Sequence, residues 1–416
     1  MAPDEWEALA GRLRGYDGAR RCAAVVGGGM CGLAIAHELV QTGIAVAVID
    51  RGAPGEAPAS SCAGLLDPLS VRGRIMWHGI EAFDAACELL RHASATQPAG
   101  APPLSRRVGS LHVAGTAKQR AQYEAALAEQ EGPDAVCRYL AHDEAQQLAP
   151  GLSAPHGGLW CEEAVVVDGR AYLVALWRCV RAAAAAHGVA AEWTRKRVRT
   201  ARELAGSFDL VIVAAGAGCA HVEETRHLPL ELTRGQVVNY ELPATGSDGD
   251  RAGLRAALCG SVYVLPDPNA APADGARAVV AGATHEPTTD TWQDAPHSAD
   301  AADSTLRPAL RTMFAALGAA RQTGGCAGVR ANPPRTPAGA LPLAGRAHSD
   351  AAHGIWFATG FGARGLLYHA LCARWVVAAA SAGDAEMIPA ELRRSEFGAM
   401  LDARLRAAAP PPPETA

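Results

Sequence analysis

The sequence predicts an α/β chain of two domains: one on a parallel β-sheet assembled from separated pieces, the other on a mixed or antiparallel β-sheet. Three observations predict it. A short apolar run at residues 22–26 ends in three glycines, passes into helical spacing, and is followed by a second apolar run at 45–49, which makes a βαβ unit. Apolar runs that end on glycine return far along the chain, at 208–214 and 355–359. Between them, residues 232–242, 261–265 and 277–282 have strand character without intervening helices, the pattern of an antiparallel sheet. With 416 residues the chain is long enough for two cores.

Taken in order, residues 1–19 read as an amphipathic N-terminal extension. Asp4, Glu5, Glu7 and Asp17 make it too acidic for a transit peptide. Helical spacing follows Cys31 through Leu33, Ile35, Ala36, Leu39 and Val40, with Gly43 beyond its end. A loop at 52–68 leads to helices near 81–91 and 118–130, with a strand at 108–113 between them. Residues 160–167 read as one strand, 172–187 as an Ala-rich helix stopped by Gly188, and 360–380 as a glycine turn entering a helix. The nucleotide-binding domain is therefore expected in three pieces, 20–105, 155–228 and 328–405. The second domain is expected at 106–154 and 229–327, with a disordered Pro-rich tail at 406–416.

Composition excludes several classes. A net charge of −5 gives no general attraction to nucleic acid or anionic membrane. The eleven cysteines contain no Cys-x-x-Cys pair, and the fourteen histidines show no ligand spacing, so neither a disulfide framework nor a metal site is expected. No apolar run reads as a membrane span. The expected compartment is cytoplasmic, or plastid or mitochondrial if a targeting segment precedes these residues.

The strongest motif is Gly27-x-Gly29-x-x-Gly32 between the first strand and helix. Gly27 permits the tight turn, Gly29 admits a pyrophosphate to the backbone, and Gly32 lets the helix approach the sheet. The phosphate then sits at a helix N-terminus. Asp50 ends the second strand where a carboxylate would bind ribose hydroxyls. This is a Rossmann-like reading. The chain's departure into β-rich sequence and its late return at Gly360-Phe-Gly362-Ala-Arg364-Gly365-Leu366 favour FAD over NAD, because N–H groups there would face the flavin edge that gains charge on reduction. An ordinary glycine turn is the alternative for that junction.

These residues resemble the FAD-dependent amino-acid oxidases, the family of glycine oxidase, sarcosine oxidase and D-amino-acid oxidase. The resemblance runs from about Arg21 to Arg404. Within the family, the chain is similar to the oxidoreductase domain of the bacterial bifunctional enzyme that makes 5-methylaminomethyl-2-thiouridine at the tRNA wobble position. The strings that carry this are Leu65-Leu66-Asp67-Pro68-Leu69-Ser70, Gly157-Gly158-Leu159-Trp160-Cys161, Arg234-Gly235-Gln236-Val237-Val238, Tyr263-Val-Leu-Pro266, Gly282-Ala283-Thr284, Cys326-Ala-Gly328-Val329-Arg330 and the Gly362 to Leu366 junction.

The resemblance implies FAD held by Gly27, Gly29, Met30, Gly32, Asp50, Arg51, the Ser61-Cys62-Ala63-Gly64-Leu65 loop, Val198, Ala215, Gly216, Gly360, Gly362, Ala363, Arg364, Gly365 and Leu366. It implies oxidation of a carboxymethylaminomethyl group to glyoxylate and the aminomethyl base, with molecular oxygen as electron acceptor. Gly328 stands where sarcosine oxidases carry their flavin-linking cysteine, so non-covalent FAD is expected. Two departures stand out. The segment from Arg330 to Leu341-Pro342 is longer than in that subgroup and lacks its aspartate. The methyltransferase half has no counterpart here, so methylation is expected from another protein.

Amine oxidation by a flavin needs a C–H bond held at the cofactor and, for a carboxylate-bearing amine, a cation to orient it. Arg330 is the candidate, since a guanidinium binds a carboxylate bidentately; a structural ion pair is the alternative. Tyr263 closes the site or donates a hydrogen bond, or else only packs. Arg364 faces flavin or substrate, or caps its turn. The basic run Arg195-Lys196-Arg197 with Arg199 is either a tRNA phosphate contact or a solvated strand face. Three functions remain: a tRNA-modifying oxidase, an oxidase of free glycine, sarcosine or a related amino acid, and a flavin-binding protein without turnover.

Overall fold

A computed structural model describes residues 3–15, 20–57, 64–130, 136–243, 253–269, 277–289, 297–347 and 354–393. Six strands form one sheet in the order Leu343–Arg346, Ile355–Thr359, Leu210–Val213, Cys22–Val26, Ala45–Asp50, Ala191–Arg195. All neighbours are parallel except the first pair. Both faces of its four central strands are covered, which is why those strands read as apolar runs. Ala23, Val25, Val46 and Val48 pack under the Met30–Gln41, Gly79–Ala95, Gly169–Ala186 and Gly365–Ala382 helices. Cys22, Ala24, Val26, Ala47 and Ile49 pack on the other side against Trp6, Leu9 and Leu13 of the Pro3–Arg14 helix. The N-terminal extension is thus part of this core.

The second sheet is mixed. Its nine described strands run Glu286–Pro287, Glu231–Glu241, Ala278–Gly282, Tyr263–Pro266, Ala257–Cys259, Ser110–Val113, Gly158–Cys161 and Cys137–Leu140, with Arg321–Asn332 paired to the other edge of Glu231–Glu241. Ala257–Cys259 and Ser110–Val113 are its parallel pair. The Ala299–Met313 helix covers the outer face through Leu306, Leu310 and Met313, against Val238, Tyr240, Leu258 and Val264.

Sheet membership differs from the sequence reading at two places. Residues 160–167 are two strands: Gly158–Cys161 pairs with Ser110–Val113, while Val165–Val167 pairs with Leu65–Leu66 and Ser105–Arg107 in a small bridging sheet. Only the turn between them lets the chain change sheets. Residues 328–332, expected with the nucleotide-binding piece, finish the Arg321–Asn332 strand of the second sheet. That strand was not anticipated, because Gly324, Gly325 and Gly328 weaken its propensity; its register against Glu231–Glu241 supplies what propensity lacks. The Ala299–Met313 helix was also missed. Pro308 inside it argues for a break, yet Ser298 caps its start and its apolar stripe is buried.

The 362–382 segment corrects the reading that no run suits a membrane: its length and composition do suffice to cross one. It is a core helix, mostly buried, because it packs against both the Met30–Gln41 and Gly79–Ala95 helices.

His369 lies on this helix, 1% exposed. Its Nδ1–H donates to the Leu366 carbonyl at 2.9 Å, and Nε2 accepts from the Tyr172 hydroxyl at 2.7 Å, so the ring is neutral. Burial pushes its pKa down to about 4, against the opposing pull of the Leu366 and Gly365 backbone. The unfolded chain, with a histidine near 6.5, takes up the proton first. Stability from this residue is therefore full above pH 6.5 and is lost as pH falls toward 4, on the order of 3 kcal/mol. Denaturant titrations at pH 7 and pH 4.5 should show a smaller acid loss in His369→Gln than in the wild type; equal losses would refute this assignment.

Candidate functional site: a cavity between the two sheets

A cavity of about 770 Å³ runs between the sheets, within the roughly 300–1,000 Å³ usual for ligand sites. One end is built from the first βαβ unit. Gly27 takes φ +113°, and a Cβ there would lie 2.4 Å from the Ala214 carbonyl oxygen. A Cβ on Gly32 would lie 1.8 Å from the Gly27 carbonyl oxygen. Only hydrogen fits at either place. Gly29 is the N-cap of the Met30–Gln41 helix, whose first turn has no acidic residue and no side-chain cap. Its N–H groups are left for an anion arriving from the cavity.

Asp50 stands beside this turn. Its Oδ2 accepts from the Gly28 N–H at 2.7 Å and its Oδ1 from the Gly52 N–H at 2.8 Å. These bonds fix the carboxylate, and each oxygen keeps a lone pair for a ribose hydroxyl.

Gly27, Gly29, Met30, Asp50, Arg51, Gly64, Leu65, Val198, Ala215 and Gly216 line the cavity. Gly360, Gly362, Ala363, Arg364, Gly365 and Leu366 line it as well. Gly32 does not; it sits behind the turn, against Gly27. Ser61, Cys62 and Ala63 lie outside the described residues. Arg364 is the N-cap residue of the Gly365–Ala382 helix, and its N–H donates to the Phe361 carbonyl at 2.8 Å.

The other wall comes from the second sheet. Arg330, Tyr263, Gly235, Val237, Gly328 and Ser261 line it. Arg330 is half-buried, and its Nη2 donates to the Thr284 carbonyl at 3.1 Å. Its guanidinium lies over Gly235, where a Cβ would come within 2.3 Å of Nη2. Glu286 is engaged by Arg234 at 2.8 Å, Gln236 at 2.8 Å and Thr284 at 2.7 Å. The Tyr263 hydroxyl lies against Gly282. The strand bearing Arg330 also packs on the Gly362–Arg364 turn, which brings the two candidate arginines to one region.

The basic run is largely engaged elsewhere: Arg195 pairs with Glu56 at 3.8 Å and Lys196 with Glu5 at 3.0 Å. Lys196 and Arg197 still border the cavity. Among the described residues no group of three metal-ligating side chains is found.

Sequence reasoning missed Asp67, His112, Tyr123 and Cys259, all of which line the cavity. One signal was available. Ser110 and His112 stand two apart in a strand whose other face, Leu111 and Val113, is apolar, so two polar groups share one buried face.

Comparison with known proteins accounts for the double-sheet cradle. The family model described as FAD dependent oxidoreductase matches residues 23–379. The chain is 30% identical over 401 residues to the tRNA 5-methylaminomethyl-2-thiouridine biosynthesis bifunctional protein MnmC of Azoarcus sp. (strain BH72), covering 90% of this chain and 58% of that protein. It thus spans little more than half the length of that relative. In structure it is similar to glycine oxidase from Geobacillus kaustophilus (TM-score 0.69, 20% identity, 87% and 94% of the two chains). It is also similar to iminodiacetate oxidase from Chelativorans sp. BNC1 (TM-score 0.66, 20% identity, 90% and 98%). The glycine cradle, the uncapped helix N-terminus and the fixed Asp50 fit the pyrophosphate and ribose of FAD, and the chain belongs to the FAD-dependent oxidoreductase (DAO) family, with FAD as its cofactor.

Proposed function

We propose that this protein oxidises a secondary amine that carries a carboxylate, and that the amine is the carboxymethylaminomethyl group of a tRNA wobble uridine. The observation that carries the reading is Arg330, a half-buried guanidinium on the cavity wall with no carboxylate partner among its described contacts. Its fork suits a substrate carboxylate, and Thr284 and Gly235 hold it flat against the sheet. FAD bound in the cradle would accept the electron pair and hydrogen of the substrate C–H bond. Water then cleaves the resulting imine to glyoxylate and the primary amine. Tyr263 narrows the space beside the carboxylate, and Arg364 adds positive charge near the helix N-terminus. Molecular oxygen is the electron acceptor in this reading. FAD is non-covalent in this reading, because Gly328 stands at the position of the flavin-linking cysteine of sarcosine oxidases and Cys326, two residues before it, does not border the cavity.

The tRNA substrate is favoured by the similarity to MnmC over most of this chain. The second reading, oxidation of a free amino acid, is favoured by the likeness to proteins named glycine oxidase and iminodiacetate oxidase. Anaerobic mixing decides between them. Flavin absorbance should bleach with tRNA carrying carboxymethylaminomethyluridine and stay unchanged with millimolar glycine, sarcosine, iminodiacetate or proline. Rapid bleaching by a free amino acid would reject the tRNA reading. Bound FAD that no amine reduces would leave a binding protein without turnover.

A further inference from the structure

The cavity wall formed by the second sheet carries a buried ionisable pair that cofactor binding does not use. Asp67 follows the Leu65–Leu66 strand and is 2% exposed; His112 lies on Ser110–Val113 and is 6% exposed. Asp67 Oδ2 accepts from the Ser110 hydroxyl at 2.5 Å and faces His112 Nε2 at 2.9 Å. Oδ1 accepts from the Leu69 N–H at 2.7 Å. Burial by itself pushes this carboxyl up, but the bonds from His112, Ser110 and Leu69 outweigh it and hold Asp67 below the usual carboxylate range. In the neutral form of the ring, an ionised Asp67 fixes the tautomer: the proton sits on His112 Nε2 and Nδ1 carries the lone pair. Nδ1 has no hydrogen bond to any described residue, and His112 borders the cavity.

We propose that His112 is a catalytic residue, the acceptor of the proton that a substrate ammonium must lose, and that Asp67 is its positioning residue. This rests on the amine-oxidation reading above. A secondary amine enters at neutral pH as the ammonium, R–NH2⁺–CH2–COO⁻, whose nitrogen has no free lone pair. One N–H proton passes to Nδ1, giving the neutral amine and an imidazolium facing Asp67; no electrons move in this step. FAD bound in the cradle would take two electrons and a hydrogen from the C–H bond of that neutral amine, and water would cleave the imine. The imidazolium returns its proton to solvent before the next turnover.

The groups around the pair do not compete for this role. They are Tyr123 on the Ala117–Ala128 helix, Cys259 on one neighbouring strand, Cys161 on the other, and Cys137 beyond it. Arg72 and Arg364 complete the set on the cavity wall. Burial pushes the Tyr123 phenol to about 12, the Cys137 thiol to about 11, the Cys161 thiol to about 12 and the Cys259 thiol higher still. All four are neutral near pH 7. The imidazole is the base of this wall.

The test uses His112→Gln and Asp67→Asn in the FAD-loaded protein, with unchanged flavin absorbance and circular dichroism as the check of folding. Anaerobic bleaching is followed at pH 7 and pH 9.5, with whichever of sarcosine, iminodiacetate or carboxymethylaminomethyl-tRNA bleaches the wild type. His112→Gln should be about 10²- to 10⁴-fold slower at pH 7 and recover most of that deficit at pH 9.5, where the free amine already exists in solution. Asp67→Asn should show a smaller deficit of the same pH form. Wild-type rates at pH 7, or a deficit equal at both pH values, would overturn the proposal.

A second measurement needs no substrate: ¹⁵N shifts of labelled histidine, assigned by their loss in His112→Gln. These should show the proton on Nε2 and a bare Nδ1; a proton on Nδ1 would overturn the proposal. Should no amine bleach the protein, the proposed function fails, and the nitrogen shifts alone decide whether the pair is arranged as stated.

Discussion

Replacing Arg330 by alanine is expected to lower kcat/KM for a carboxylate-bearing amine by about 10²- to 10³-fold while FAD remains bound. The magnitude follows from truncating one partner of a desolvated charge pair, roughly 3–4 kcal/mol, at about 1.4 kcal/mol per decade. The flavin should stay because Arg330 projects from the second sheet, whereas the phosphate cradle belongs to the first. Arg330→Lys should restore only part of the loss: an ammonium keeps the charge but cannot span both carboxylate oxygens or keep the planar contact over Gly235. The informative control is the corresponding amide of the substrate, which the wild type should handle about as poorly as Arg330→Ala handles the acid. Stopped-flow traces in which Arg330→Ala bleaches at the wild-type rate would assign the carboxylate to another cation of the cavity, such as Arg364 on the turn against which the Arg330 strand packs.

The second large effect is expected from a single methyl group. Gly32→Ala would place a Cβ 1.8 Å from the Gly27 carbonyl oxygen, and that atom is backbone in the phosphate turn. No rotamer relieves such a clash; the helix must move from the sheet or the turn must open. Overpacking of this kind costs roughly 1–3 kcal/mol or more, and here the displaced atoms are those that cradle the pyrophosphate. The purified variant should be colourless, with FAD affinity down by at least about 10²-fold. Gly11→Ala is the matched control. Gly11 is exposed on the Pro3–Arg14 helix with nothing within 4 Å of its added Cβ, so the change should be neutral or stabilise by roughly 0.5–1 kcal/mol. Flavin absorbance of Gly32→Ala equal to that of Gly11→Ala would refute the close approach on which the cradle depends.

The four central strands of the parallel sheet were legible in the sequence because they are buried on both faces, whereas its edge strands Ala191–Arg195 and Leu343–Arg346 were not. Continuous apolar runs at Cys22–Val26, Ala45–Asp50, Leu210–Val213 and Ile355–Thr359 announce themselves without knowledge of their neighbours. The glycine motif was legible for a related reason: turn geometry and close approach are local demands that glycine alone meets. The residues of the second sheet gave weaker signals. Arg321–Asn332 is glycine-rich and half-buried, and it is a strand only because Glu231–Glu241 lies beside it in register.

What the residues determined by themselves is therefore the nucleotide cradle: a strand, a turn with no room for a Cβ at Gly27 or Gly32, a helix N-terminus and Asp50, all within one short stretch of chain. What the tertiary structure decided is the opposite wall. Asp67, Ser110 and His112 come together from a loop and a strand more than forty residues apart, and Arg330 reaches the same cavity from far later in the chain. No local pattern encodes those meetings, because a buried charge is tolerated only once its partners arrive, and packing of the two sheets brings them there.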